Sequence, residues 1–92
     1  MDTVENEYII ADSARKHGIS DEDILHAVRH KIDWISPLEE PDKLLYIGYD
    51  IANRNLEGIT VETKNGVQRI IHAMKLKPNF IRIMEGIKNE QR

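Results

Sequence analysis

The 92-residue chain contains no cysteine. That removes disulfides, thiolate metal sites and thiol nucleophiles together, and leaves nothing to gain from an oxidising compartment. Proline (three) and glycine (five) are sparse, which argues against a disordered or linker-rich chain. No apolar run approaches the roughly 20 residues of a membrane span. The opening Met1-Asp2-Thr3-Val4-Glu5-Asn6-Glu7 is acidic and lacks the basic start and apolar stretch of a secretory signal. A single domain over 1–92 in the cytoplasm, with no membrane contact, is therefore expected. Also absent are a Gly-rich phosphate loop, a nucleophile elbow and a dinucleotide fingerprint, which excludes the commonest nucleotide-dependent and acyl-transfer enzymes.

What is present is charge, unevenly spread. The net formal charge is only −3, yet Met1 to Thr63 carries six Lys/Arg against fourteen Asp/Glu and Lys64 to Arg92 seven against two. The two parts have opposite sign, and the basic C-terminal third is where a polyanion would bind.

Periodicity gives an α+β chain. Asp2 with Glu5 can form a capping box, and Tyr8, Ala11 and Ala14 recur at helical spacing, so a first helix is expected over Thr3–His17, ended by Gly18 in the left-handed conformation. Ser20 and Asp23, with Ile19 placed to staple against Ile24, begin a second helix that Arg29, His30 and Lys31 close. The period then shortens. Ile32 to Pro37 and Leu44 to Tyr49 read as strands joined by the acidic, proline-containing turn 38–43, Leu56 to Thr63 as a third, and Val67 to Leu76 as a fourth after the Asn65-Gly66 hairpin signal. Pro78 suits the first turn of a closing helix whose apolar face holds Phe80, Ile83 or Met84, and Ile87. The expected order is two helices, a four-stranded antiparallel meander and a C-terminal helix.

The stretch Gln68 to Pro78 places a histidine and several cations at one strand–helix junction. In a regular strand Ile70, His72, Met74 and Leu76 share one face and Arg69, Ile71, Ala73 and Lys75 the other. His72 is a candidate general acid or base, because imidazole titrates near neutrality. The competing reading is a half-buried, hydrogen-bonded, inert histidine. Lys75 and Lys77, with Arg82 one turn into the last helix and Arg69 upstream, could contact successive phosphates, with the backbone amides near Pro78 able to add another anion contact. The competing reading is a solvated basic rim. His26 and His30 have the i, i+4 spacing of a metal-binding pair, but no His-Glu-x-x-His motif accompanies them; no metal and no cofactor is expected. Trp34 is expected as a core or edge anchor, and Tyr46 and Tyr49 on opposite faces of a strand.

Lys16-His17-Gly18-Ile19-Ser20 before an acidic-apolar helix, Tyr46-Ile47-Gly48-Tyr49 with Arg54 shortly after, and Arg69-Ile70-Ile71-His72-Ala73 together resemble the BrnT family of small bacterial toxins. The resemblance implies a RelE-type fold, an antiparallel sheet with helices against it. It also implies a metal-independent endoribonuclease acting as the toxin of a type II toxin–antitoxin pair, with an antitoxin protein and RNA as partners, and for that chemistry it makes His72, Arg54 and Lys75 the candidate catalytic residues and Arg69, Lys77 and Arg82 the candidate RNA-binding ones. Asn53 stands where the family's turn has glycine, His72 and Met74 stand where its late strand has serine and arginine, and a chain that opens with a helix lacks the family's opening strand. Either the imidazole replaces that arginine or the fold is kept without activity. The alternative function is a non-enzymatic module of the same fold that binds a protein partner or itself as a homodimer, which a neutral exposed edge strand between Leu56 and Thr63 would favour.

Overall fold

The structure, a computed structural model, describes residues 7–91. The elements follow in the order β1 (Tyr8–Ile10), α1 (Asp12–Arg15), α2 (Asp21–Arg29), β2 (Lys31–Ile35), β3 (Lys43–Tyr49), β4 (Asn55–Glu62), β5 (Gln68–Lys75) and α3 (Pro78–Glu90). The class is α+β, with one five-stranded mixed sheet in the order β1-β5-β4-β3-β2. The meander from β2 to β5 is antiparallel as expected.

The N-terminal part differs from expectation. The long first helix is replaced by β1 and the single turn of α1, while the capping box at Asp2 and Glu5 lies outside the described residues. Tyr8-Ile9-Ile10 is a run of β-favouring residues, and β5 offers it a parallel partner through Tyr8↔Gln68, Ile9↔Arg69 and Ile10↔Ile70. A ladder with a strand sixty residues away outweighs local helical spacing. The end of the predicted helix survives: Gly18 has φ +79° and its amide donates to the Arg15 carbonyl at 3.1 Å, the turn that glycine makes cheaply. The second helix starts as its cap dictates, the Ser20 hydroxyl accepting from the Asp23 amide at 3.1 Å.

Helices cover both faces of the sheet. On one, Ala14, Ile24 and Val28 pack on Tyr46, Ile70 and Ala73; on the other, Phe80 and Met84 pack on Leu45 and Ile47. Two glycines permit the first packing. A Cβ on Gly48 would run into the Ala27 carbonyl of α2, and one on Gly58 into the Tyr46 ring.

The regular alternation expected for β5 is broken. Ile59 pairs with His72 but its neighbour Thr60 pairs with Ile70, so Ile71 is the extra residue of a β-bulge. Ile70 consequently joins the core under α1 and α2, whereas His72 turns towards α3. Without the bulge both would share a face and the imidazole would lie beneath the N-terminal helices. The bulge carbonyl does not go unpaired: beyond the end of β1, the Ser13 hydroxyl of α1 donates to the Ile71 oxygen at 2.7 Å.

The strand predicted over Leu56–Thr63 is β4, which lies between β3 and β5 and is no edge. The edges are β1 and β2, and Trp34 on β2 is 55% exposed, an edge position rather than a core anchor. Tyr46 is buried and Tyr49 half-buried. No helix among the described residues is long and apolar enough to cross a membrane.

Candidate functional site

On the α3 face of the sheet, β4 and β5 bring Glu57 and His72 together diagonally across the ladder. Glu57 pairs with Met74, and its neighbour two residues on, Ile59, pairs with His72. The Glu57 side chain is nearly buried, at 6% exposure, and the His72 side chain is 23% exposed. One carboxylate oxygen of Glu57 meets His72 Nε2 at 2.7 Å, and the other accepts the backbone amide of Lys77 at 2.9 Å. Lys77 is the N-cap of α3, so the carboxylate also sits at the positive end of the helix dipole. A carboxylate accepts, so the proton between the two side chains belongs to His72 Nε2 and a neutral ring keeps its lone pair at Nδ1. This is how a general base is held in one tautomer.

The dyad lines a cleft of about 430 Å³ between α3 and the sheet. Leu45, Ile59, Phe80, Ile83 and Ile87 form its apolar walls, and Lys77 joins His72 on its lining. The Phe80 ring lies roughly parallel to His72 with centroids 6.1 Å apart.

A second cleft, of about 350 Å³, is lined by Arg54, Lys75, His17, Asp23 and Asp50 among others. Arg54 is held there by its turn. Its backbone amide donates to Asp50 Oδ1 at 2.8 Å and its Nε to Oδ2 at 2.9 Å, while Asn53 adopts φ 66°. Burial pushes the Asp50 carboxyl up, but the Arg54 amide, the Arg54 guanidinium and the Ala52 amide together outweigh it, and the carboxyl titrates below its ordinary value. Lys75 is exposed and forms no ion pair among the described residues.

The six sequence-predicted residues are therefore divided. His72 and Lys77 share the larger cleft, Arg54 and Lys75 the smaller. Arg69 pairs with Val61 near the opposite end of β5 and lines neither cleft. Arg82 points away from the sheet, since Phe80 and Met84 are the buried positions of α3. A single concavity holding all the cations beside the imidazole is not what forms. The clefts lie on opposite faces of the sheet, since His72 faces α3 whereas Lys75 shares the face of Ala73, which packs under α1 and α2; between them the His17 ring stands edge-on to His72 with centroids 5.7 Å apart.

Sequence reasoning missed Glu57 and His17. A lone acid between Leu56 and Gly58 in a strand pattern was the available signal for a buried, partnered carboxylate. For His17, in the turn after α1, no signal pointed to a strand fifty-five residues away.

His26 and His30 are stacked with centroids 4.0 Å apart, and their Nδ1 atoms bond the carbonyls of Tyr49 and His26 at 2.8 and 2.7 Å. No group of three or more metal-ligating side chains occurs among the described residues.

No described protein family, no curated protein and no solved structure matches this chain.

Proposed function

We propose that the protein is a RelE/BrnT-like toxin of a type II toxin–antitoxin pair, a cytoplasmic protein that cleaves RNA without a metal and uses His72 as its base. The observation that carries this reading is the Glu57–His72 dyad: a nearly buried carboxylate whose two oxygens are both committed, one to the imidazole and one to the start of α3, facing an open cleft. Cleavage of RNA by its own 2′-hydroxyl needs a base, cations for the phosphate and an acid for the leaving oxygen, and nothing else. Lys77 lines the same cleft as the base, and Lys75 and Arg54 line the second cleft, whose His17 ring touches His72.

Two features absent from the sequence reading add support to the resemblance. β1 supplies the opening strand that a helical N-terminus would lack. Asn53, standing where the family's turn has glycine, takes the positive φ that explains a glycine there, and asparagine is among the residues that tolerate it.

Expression of the chain without its partner should slow growth, and the purified protein should cleave single-stranded RNA in the presence of a chelator. His72→Ala should reduce cleavage by roughly 10²–10⁴-fold, the usual contribution of an acid–base group, with Glu57→Gln reducing it in the same direction. Wild-type protein that is folded, leaves growth unimpeded and leaves RNA intact would count against the reading.

A second reading, a partner-binding module of the same fold, is favoured by the apolar walls of the larger cleft, where Ile83 is 45% exposed. Retention of an antitoxin-like partner by a His72→Ala protein, together with wild-type protein that leaves RNA intact, would select it.

A further inference from the structure

We propose that His17 is the second proton-transfer group of this site, so that RNA is cleaved by a pair of imidazoles astride the end of β5. The proposal rests on the ribonuclease reading of His72 and adds a residue and a reaction course to it. Four observations lead here. The His17 and His72 rings meet edge to face, centroids 5.7 Å apart and planes at 82°, a contact that puts both imidazoles within reach of one phosphodiester lying against the pair. His17 lines the cleft that holds Lys75 and Arg54, whereas His72 lines the cleft that holds Glu57 and Lys77; the pair is where the two linings touch. His17 is exposed, and among the described residues its ring makes no hydrogen bond, unlike His26 and His30, whose Nδ1 atoms are tied to carbonyls, and His72, tied to Glu57. Finally, the turn itself does not need an imidazole. Gly18 supplies the positive φ and Ser20 the cap of α2, leaving the side chain of His17 structurally unemployed.

The roles follow from the partners. His72 has its Nε2–H committed to a carboxylate and keeps a lone pair on Nδ1, which suits the base. His17 has no such anchor and faces the cations that would hold the non-bridging phosphate oxygens, which suits the acid. His72 takes the proton from the 2′-hydroxyl as the O2′–P bond forms, and His17 gives a proton to the 5′-oxygen as the P–O5′ bond breaks. The products are a 2′,3′-cyclic phosphate and a 5′-hydroxyl. No water, metal or oxidant enters, and exchange with solvent returns both imidazoles to their starting states.

The test uses the full chain and two short single-stranded oligoribonucleotides, identical except that in one the 5′-bridging oxygen at the cleaved bond is sulfur, a leaving atom that needs no proton. His17→Ala, and His17→Gln as a second variant, should cleave the ordinary strand roughly 10²–10⁴-fold more slowly than wild type. Both should lose the fall in rate at high pH that reports an essential acid, while keeping the rise at low pH that reports the base. The sulfur substrate should restore the His17 variants to near the wild-type rate and leave His72→Ala slow. A His17 variant that cleaves the ordinary strand as fast as wild type, or one the sulfur substrate fails to rescue, overturns the assignment of His17 and leaves His72 as base. Wild-type protein that cleaves neither strand overturns the ribonuclease reading and this pair with it.

Discussion

Of the five glycines, Gly48 and Gly58 are the ones with no room for a Cβ, and they differ in what a methyl group would strike. At Gly58 the obstacle is the Tyr46 ring, a buried side chain; at Gly48 it is the backbone of Ala27, fixed within α2. A side chain can shift where a helix backbone cannot, so Gly48→Ala should destabilise more than Gly58→Ala. Overpacking of this kind costs about 1–3 kcal/mol, with Gly48→Ala at or beyond the upper end, and denaturant midpoints at unchanged slope would measure the order. Asp50 carries a second prediction at this scale. Its folded carboxyl titrates below its ordinary value, so the stability it contributes is complete above the unfolded value of about 3.9 and is lost as pH falls through the folded one. Asp50→Asn should therefore lower stability at neutral pH by roughly 1–3 kcal/mol, the cost of leaving a buried partner group unpaired, and the gap from wild type should close as acid unfolding is followed below pH ~4. Single residues were legible in the sequence where their chemistry is intrinsic, as for the cap at Ser20. They were not where a partner defines them. Glu57 becomes significant only when β4 and β5 pair, and His17 only when α1 folds back along β5.

Elements with local signals appear where the sequence placed them. α2 begins at its cap, α3 at Pro78, and the strands β2 to β5 fall within a residue or two of expectation. The errors share one cause, pairing between segments distant in the chain. Tyr8 to Ile10 has the spacing of a helix and the composition of a strand, and only the vacant edge of β5 decides between them. The bulge at Ile71 is likewise invisible in an unbroken run of β-favouring residues, yet it determines which face His72 occupies. Local determinants should then be separable by mutation. Ser20→Ala removes the acceptor for the Asp23 amide and should cost about 0.5–2 kcal/mol, chiefly through α2. Since α2 packs on β3 through Ile24 and Val28 against Tyr46, the variant should melt earlier than wild type, and parallel thermal unfolding of the two proteins would show it.

At the scale of the whole molecule, the acidic first two thirds and the basic last third meet in one fold, and the cations are not interchangeable within it. Lys75 and Lys77 flank the histidine pair from the two clefts, whereas Arg82 lies on the outward side of α3 and Arg69 towards the other end of β5. Binding of a single strand releases counterions, and affinity falls with salt with a slope of about −0.7 for each phosphate neutralised. If the strand crosses the junction of the clefts, Lys75→Ala and Lys77→Ala should each flatten that slope by about 0.7, and Arg82→Ala should leave it unchanged although it removes the same charge. Fluorescence anisotropy of a labelled oligoribonucleotide over a salt series, with His72→Ala as background so that the strand stays intact, distinguishes this from a diffuse attraction to the basic third. In the diffuse case all three substitutions would flatten the slope equally, because only the total charge and not its placement about the imidazoles would matter.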